Sequence, residues 1–121
     1  MITKFEDLYV DRPVDLHGGN GSPTIRYFMD DSTSQGAGRL FAKIELDPGV
    51  HIGYHQHNGE QEAFFFLKGV ATVEDNEKKK HEMQPGDSYI CFDGEYHSLA
   101  NETNEPISLI AVITYTGLRK S

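Results

Sequence analysis

At 121 residues, the chain suits one domain around one buried core and is too short for two. Its 19 acidic against 11 basic residues leave a formal charge of −8, which repels phosphate backbones and anionic lipid, so nucleic acid and membrane surfaces are excluded as expected partners. The one cysteine, Cys91, rules out an intrachain disulfide and suits a reducing, cytoplasmic setting.

Residues 1–23 read as an N-terminal extension or an edge strand. Glu6 and Asp7 stand where a secretory leader would carry basic and then apolar residues, so no signal peptide is expected. The stretch Gly18-Gly19-Asn20-Gly21-Ser22-Pro23 ends this lead with residues that break regular structure, and His17 beside it is expected to be exposed. From 24 to 116 the chain reads as a barrel of short strands, leaving 117–121 as a tail. Residues 24–29 alternate around Ile25, Tyr27 and Met29. A polar, Gly- and Ser-rich loop covers 30–38. In 40–46, Leu40, Ala42, Ile44 and Leu46 take one face while Lys43 and Glu45 take the other, the period of a half-buried strand. Asp47-Pro48-Gly49 ends it with turn chemistry.

Residues 62–67 and 70–75 read as a strand pair around Gly69. The basic run Lys78-Lys79-Lys80, offset by Glu74, Asp75, Glu77 and Glu82, reads as a solvated hairpin loop. A turn at 84–87 leads into a strand at 88–92, a turn at 93–95 into a strand at 96–101, and Pro106 precedes a largely apolar strand at 107–115. The longest apolar runs, 63–67 and 109–113, are too short to cross a bilayer. No segment sustains a helical period, so the fold class is all-β, a sandwich or barrel.

The chemistry lies between Gly49 and Gly69 and around His97. Residues two apart on a strand point the same way, so His55 and His57 project together. After the Asn58-Gly59 turn the chain doubles back, and Glu62 shares its face with Phe64 and Phe66. A carboxylate on that interior side is costly unless a cation meets it. Glu60 is assigned to the turn, outside the ligand set. His51 has the parity of His55, but Gly53 is expected to bend the strand between them and leave His51 at the rim or in solvent. His81, in a polar segment, is expected to be exposed. His97 shares parity with Leu99 and Asn101 and is expected to look inward. Three neutral imidazoles and one carboxylate make a mixed nitrogen and oxygen shell suited to one divalent transition metal: Mn, Fe, Co, Ni, Zn or Cu.

The spacing of Gly49, His55, His57, Glu62 and Gly69 resembles the first motif of the cupin superfamily at every fixed position. Gly86, Gly94, His97 and Asn101 are similar to the second motif, with Phe92 where the family usually has proline. The resemblance implies a double-stranded β-helix, or jelly-roll, barrel. It also implies a metal held inside by His55, His57, Glu62 and His97, and commonly a homodimer. Phe41 and Phe65, opposite the inward parity, are candidates for the dimer interface. Tyr27, Phe64, Tyr89, Cys91 and Tyr115 are candidates for the substrate cavity. For the tyrosines the competing expectation is plain packing, and for Cys91 a buried structural thiol. Arg26 and Arg39 are candidates to anchor a substrate carboxylate, with surface ion pairing the competing expectation. Cupins include dioxygenases, isomerases, decarboxylases and non-catalytic binders. The expectation is a metal-binding cupin that acts on or binds a small oxygen-rich molecule; the alternative is a binding or sensing module that turns nothing over.

Overall fold

The computed structural model describes residues 1–117; of the predicted tail, 117–121, only Gly117 falls within them. Among the described residues, ten strands carry the fold: β1 (Tyr9–Asp11), β2 (Thr24–Asp30), β3 (Gly38–Leu46), β4 (His51–Gln56), β5 (Glu60–Lys68), β6 (Ala71–Glu74), β7 (Lys80–Met83), β8 (Ser88–Cys91), β9 (Tyr96–Ala100) and β10 (Ile107–Tyr115). They form two antiparallel sheets, one in the order β1-β2-β3-β10-β5-β8 and one in the order β4-β9-β6-β7. From β3 to β6 and from β7 to β10 the chain changes sheet at every connection, the winding of a jelly roll.

The core sits between the sheets and follows from alternation. Leu40, Ala42, Ile44 and Leu46 of β3 are buried, as are Phe64 and Phe66 of β5 and Leu109, Ala111 and Ile113 of β10. Ile52, Val73 and Leu99 face them from the smaller sheet. The intervening residues Arg39, Phe41 and Phe65 are exposed. Asn101 is buried too, as its parity predicts, and its hydrogen bonds explain the burial. Its Nδ2 donates to the carbonyls of Leu46 at 2.9 Å and Glu105 at 2.8 Å, and its Oδ1 accepts from the Thr103 backbone at 2.9 Å. Asn101 thus pins the loop between β9 and β10 to the end of β3.

Three expectations need correction. The segments 62–67 and 70–75 are not a pair: β5 pairs with β10 and β8, whereas β6 pairs with β7 and β9 in the other sheet. Gly69, at φ +75, carries the chain across from one sheet to the other, so the short glycine connector is a crossover rather than a hairpin. Met29 does not share the inner face with Ile25, because the register of β2 against β3 shifts between Tyr27 and Met29 and leaves Met29 exposed. The region 80–83, read as loop and turn approach, is the edge strand β7. The basic run before it is exposed, as expected. Among the described residues no helix is long and apolar enough to cross a membrane.

Candidate metal centre

Both sheets supply the site. His55 lies near the end of β4, His57 one residue past it, and His97 near the start of β9; Glu62 comes from β5 in the facing sheet. His55 and His97 are register partners, and the β4–β9 register shifts between Ile52 and His55. That irregularity at Gly53 turns His51 away from His55, as the sequence suggests: His51 is partly buried and bridges Asn20 instead. The His57 backbone is held to the turn before β9, its N–H donating to Glu95 O at 3.1 Å and its carbonyl accepting from Gly94 N–H at 2.7 Å.

The four side chains converge. One donor atom from each of His55, His57, Glu62 and His97 lies within 4.8 Å of the others. His57 Nε2 is 3.0 Å from His97 Nε2 and 3.1 Å from Glu62 Oε1, and His97 Nε2 is 3.2 Å from the same oxygen. Donors about 2.1 Å from one ion, at right angles about it, stand about 3.0 Å apart, so this triangle fits neighbouring positions around a transition ion. His57, Glu62 and His97 are all buried, and His55 partly so. A carboxylate buried among three imidazoles is the setting in which a cation is needed.

Each ring is oriented by a different device. His55 Nδ1 is 2.7 Å from the Gly53 carbonyl; donating there leaves Nε2 with the free lone pair. Burial, only partly opposed by that hydrogen bond, pushes the His55 pKa down to about 4, so the ring is neutral at neutral pH. His57 Nδ1 meets Glu60 Oε2 at 2.5 Å, and Arg39 grips the same carboxylate through two hydrogen bonds of 2.8 Å. Burial works against a charged His57, but the carboxylates on its two nitrogens outweigh it and raise its pKa. His97 has neither device: its Nδ1 is buried without a hydrogen-bond partner, and its ring packs against Phe64 at 5.4 Å and Tyr89 at 5.7 Å between centroids. Burial alone would raise the pKa of Glu62; the hydrogen bonds from His57 and His97, with their charges, override it and bring it down to about 2. A ligand must shed its proton to bind an ion, so a divalent cation held here would compete with protons for the same nitrogens.

Glu60 therefore differs from its expected place. It is the first residue of β5 rather than part of the turn, and it has the same strand parity as Glu62. It does not join the four donors but fixes one of them. Arg39 is an ion-pair partner, as one expectation had it, but its partner is Glu60 and it lines the cavity. Arg26 pairs with Glu45 at 3.3 Å and lies over the Phe5 ring, away from the cavity.

A cavity of about 130 Å³ opens beside the four donors. Ile25, Leu40, Ile44, Ile52, Leu99 and Ile113 make most of its wall, with Phe64 next to the donors. Of the cavity candidates, Phe64 alone lines it. Tyr27 packs against Tyr9 across the β1–β2 pair, with the rings tilted and 5.5 Å between centroids. Tyr89 packs against His97 and Phe64 instead of facing the open space. The Tyr115 hydroxyl donates to Asp31 Oδ1 at 2.7 Å. Cys91 is fully buried opposite Glu62 in the ladder, its thiol donating to Glu95 O at 3.5 Å, and burial pushes its pKa up to about 11, which leaves the thiol unreactive. His17 is exposed, as expected, but the sequence reading missed that it lines the cavity together with Asp11, Pro13 and Leu16, all from the segment taken as an extension. No periodic signal marks them. The glycine pair after His17 is the one clue, since glycines permit close backbone approach.

The sequence matches the family of the Cupin domain over residues 42–113. It is similar to the oxalate-binding protein of Thermotoga maritima, 31% identical over 115 residues that span 93% of each chain. Among solved structures, the fold is similar to a predicted oxalate decarboxylase of Thermotoga maritima, with a TM-score of 0.87 and 30% identity over 95% of this chain and 99% of that one. It is also similar to a polyketide cyclase of Streptomyces resistomycificus, TM-score 0.75 over 99% of this chain and 87% of that one, where the 16% identity speaks for the fold alone.

Proposed function

The chain belongs to the cupin family, and from that premise we propose that it binds a small carboxylate, with oxalate as the first to test, on one divalent transition ion of the Mn, Fe, Co, Ni or Zn type. His55, His57, Glu62 and His97 hold the ion. The observation that carries the reading is the shape and lining of the cavity. About 130 Å³ leaves room for a ligand of a few heavy atoms beside the ion. The names of two relatives, an oxalate-binding protein and a predicted oxalate decarboxylase, support this ligand class.

A bound divalent ion would supply positive charge and open positions for carboxylate oxygens. The chain's residues do the rest. Neutral His55 offers a lone pair without a competing proton. Glu62 and Asp11 would offset the two charges of the ion, and Glu60 with Arg39 cancels within itself, so the attraction for a carboxylate comes from the open positions of the ion. The aliphatic wall keeps bulk water from the centre, so each electrostatic contact gains strength. Among the described residues no tyrosine and no glutamate other than Glu62 lines the cavity, so proton transfer would fall to Asp11 or His17, which supports binding over turnover. The second reading is a decarboxylase. The predicted decarboxylase among its relatives favours it, and it requires one of those two groups to deliver the proton. The single cysteine is consistent with a reducing compartment, and the acidic charge supports a small-molecule ligand over nucleic acid or a membrane surface.

The test begins with metal analysis of protein purified without added metal, where about one ion per chain is expected. Calorimetry then titrates sodium oxalate into metal-loaded and chelator-stripped protein, with a parallel assay for carbon dioxide. Oxalate binding that depends on metal, without gas evolution, is the expected result. Bound metal undiminished in a His57→Ala, Glu62→Ala double variant overturns the reading; carbon dioxide release replaces it with the decarboxylase.

A further inference from the structure

Three of the six histidines form the centre, and His51 and His81 lie outside it. His17 lines the same cavity, and its ring makes no hydrogen bond among the described residues. It sits in a segment that ties the two sheets together. This segment starts from β1, the edge of the six-stranded sheet, and ends at Asn20, which bridges His51 on β4, the edge of the smaller sheet. Both backbone hydrogen bonds of the bridge are 2.9 Å long, and Asn20 Nδ2 donates to Gly49 O at 2.9 Å. Two glycines let the backbones close on each other. A Cβ at Gly19 would strike the His51 carbonyl oxygen, and one at Gly53 would strike the carbonyl oxygen of His17 itself. The His17 backbone is thus welded to the strand that carries His55.

Within the segment Asp15 (φ 51) and His17 (φ 55) both adopt the left-handed conformation, costly for a residue with a Cβ and kept only where the surroundings impose it. The outcome is a ring of His17 stacked on the ring of His55, 3.8 Å between centroids and 10° between planes. Plain packing of a surface turn would call for neither this backbone conformation nor a histidine on the cavity wall. The stack matters because His55 is the one imidazole of the centre that is only partly buried, so the protein interior constrains it least.

We propose that His17 is a positioning residue of the centre and a selector of its ligand: its imidazole, stacked on His55, fixes the plane of that ring, and its uncommitted ring nitrogen donates a hydrogen bond to an oxygen of a carboxylate held in the cavity. The inference rests on the reading of the site as a carboxylate-binding metal centre. The segment lies outside the matched cupin region, 42–113, so it is a part of the site that the shared motifs do not specify.

The experiment compares wild type, His17→Ala and His17→Phe. Co(II) affinity and the visible absorption of bound Co(II) are read first, without oxalate, and sodium oxalate affinity of the Co(II)-loaded proteins second. Circular dichroism checks that each variant is folded. Alanine removes the stack and is expected to weaken Co(II) binding about tenfold or more and to shift its spectrum. Phenylalanine keeps the stack and is expected to retain Co(II) affinity and spectrum while losing about tenfold in oxalate affinity. If alanine does not fold, His17→Asn, which tolerates the left-handed backbone, reads the same loss of the ring. Alanine or asparagine with wild-type Co(II) affinity and spectrum overturns the positioning role, and phenylalanine with wild-type oxalate affinity overturns the donor role. Wild type that takes up no Co(II) overturns the metal-centre reading and the inference with it. Wild type that takes up Co(II) but no oxalate overturns the proposed ligand and the donor role, while the Co(II) arm still decides the positioning of His55.

Discussion

Glu60 does its work at one remove. Its carboxylate joins Arg39 on one side to His57 Nδ1 on the other, so it fixes both the plane and the proton of a ring whose other nitrogen faces the centre. Glu60→Gln keeps the shape and removes the charge, and metal affinity is expected to fall about tenfold, a loss that metal titration followed by calorimetry will read. The protonation of His57 sets the pH dependence. Its two carboxylate neighbours raise its pKa above the ordinary value of 6.5, and a ligand must shed its proton to bind an ion. Metal affinity is therefore expected to be full above the raised pKa of His57 and to fall as pH drops through it, by about tenfold per unit once the ring is protonated. His55, already neutral down to about pH 4, adds nothing until far lower pH. Affinities for Co(II) measured from pH 8 to pH 5.5 check the slope, and a flat profile would remove His57 from the centre. His55, His57, Glu62 and His97 were legible in the sequence because strand parity and a spaced motif mark them. Glu60 was obscured because the turn was drawn two residues too long, and His17 because its role depends on a backbone contact between segments over thirty residues apart.

Among the strands, legibility followed the contrast between the two faces. The strand at 40–46 alternates apolar and polar residues and faces the core on one side only, so its pattern and its burial agree residue by residue. The last strand, predicted at 107–115, is found at those limits because turn residues bound it. Strand β7, Lys80–Met83, has no apolar face to announce it: it is an edge strand with three exposed residues, defined by pairing with β6 alone. Partnership was least legible of all. Nothing in 62–75 says whether the chain folds back or crosses over at Gly69, since both need a glycine. The structure chooses the crossover, and there the glycine is required twice. Its φ of +75 is one that residues with a side chain rarely adopt, and a Cβ would come within 2.7 Å of Ile107 Cγ2 and 3.0 Å of the Pro106 carbonyl. Gly69→Ala is expected to destabilise the fold by about 1–3 kcal/mol, read as a lower urea midpoint with an unchanged slope. A variant as stable as wild type would mean that the crossover does not pack as described.

At the scale of the molecule, the outer face of the six-stranded sheet carries apolar side chains where an antiparallel sheet in water carries polar ones. Across neighbouring strands the register sets Phe41 beside Val112, Val112 beside Ala63 and Ala63 beside Ile90, an unbroken apolar row. Phe65 lies beside Ile110 in a second row, and Phe28 packs edge-on against Phe41 at 5.3 Å. Phe28, Phe41, Phe65 and Ile90 are between 37% and 48% exposed, far more than a closed core allows. Polar residues belong on the solvent face of an antiparallel sheet, so contiguous apolar rows there call for a partner surface. Lys43, opposite Ile110, borders these rows on the same face, and the partner proposed for them is a second copy of the chain under two-fold symmetry. Phe65→Glu places a charge within the patch, where a dimer would have to bury it unpaired, yet leaves the side chain in water in the monomer. Wild type is expected to run as a dimer by light scattering at micromolar concentration and the variant as a monomer with nearly the same thermal midpoint at high dilution. Since Phe64 next to it reaches the cavity wall from the opposite face of β5, the same pair of samples tests whether assembly touches the centre: metal affinity that follows dimerisation would tie the two faces of that strand together, and equal affinity would make the outer sheet an interface alone.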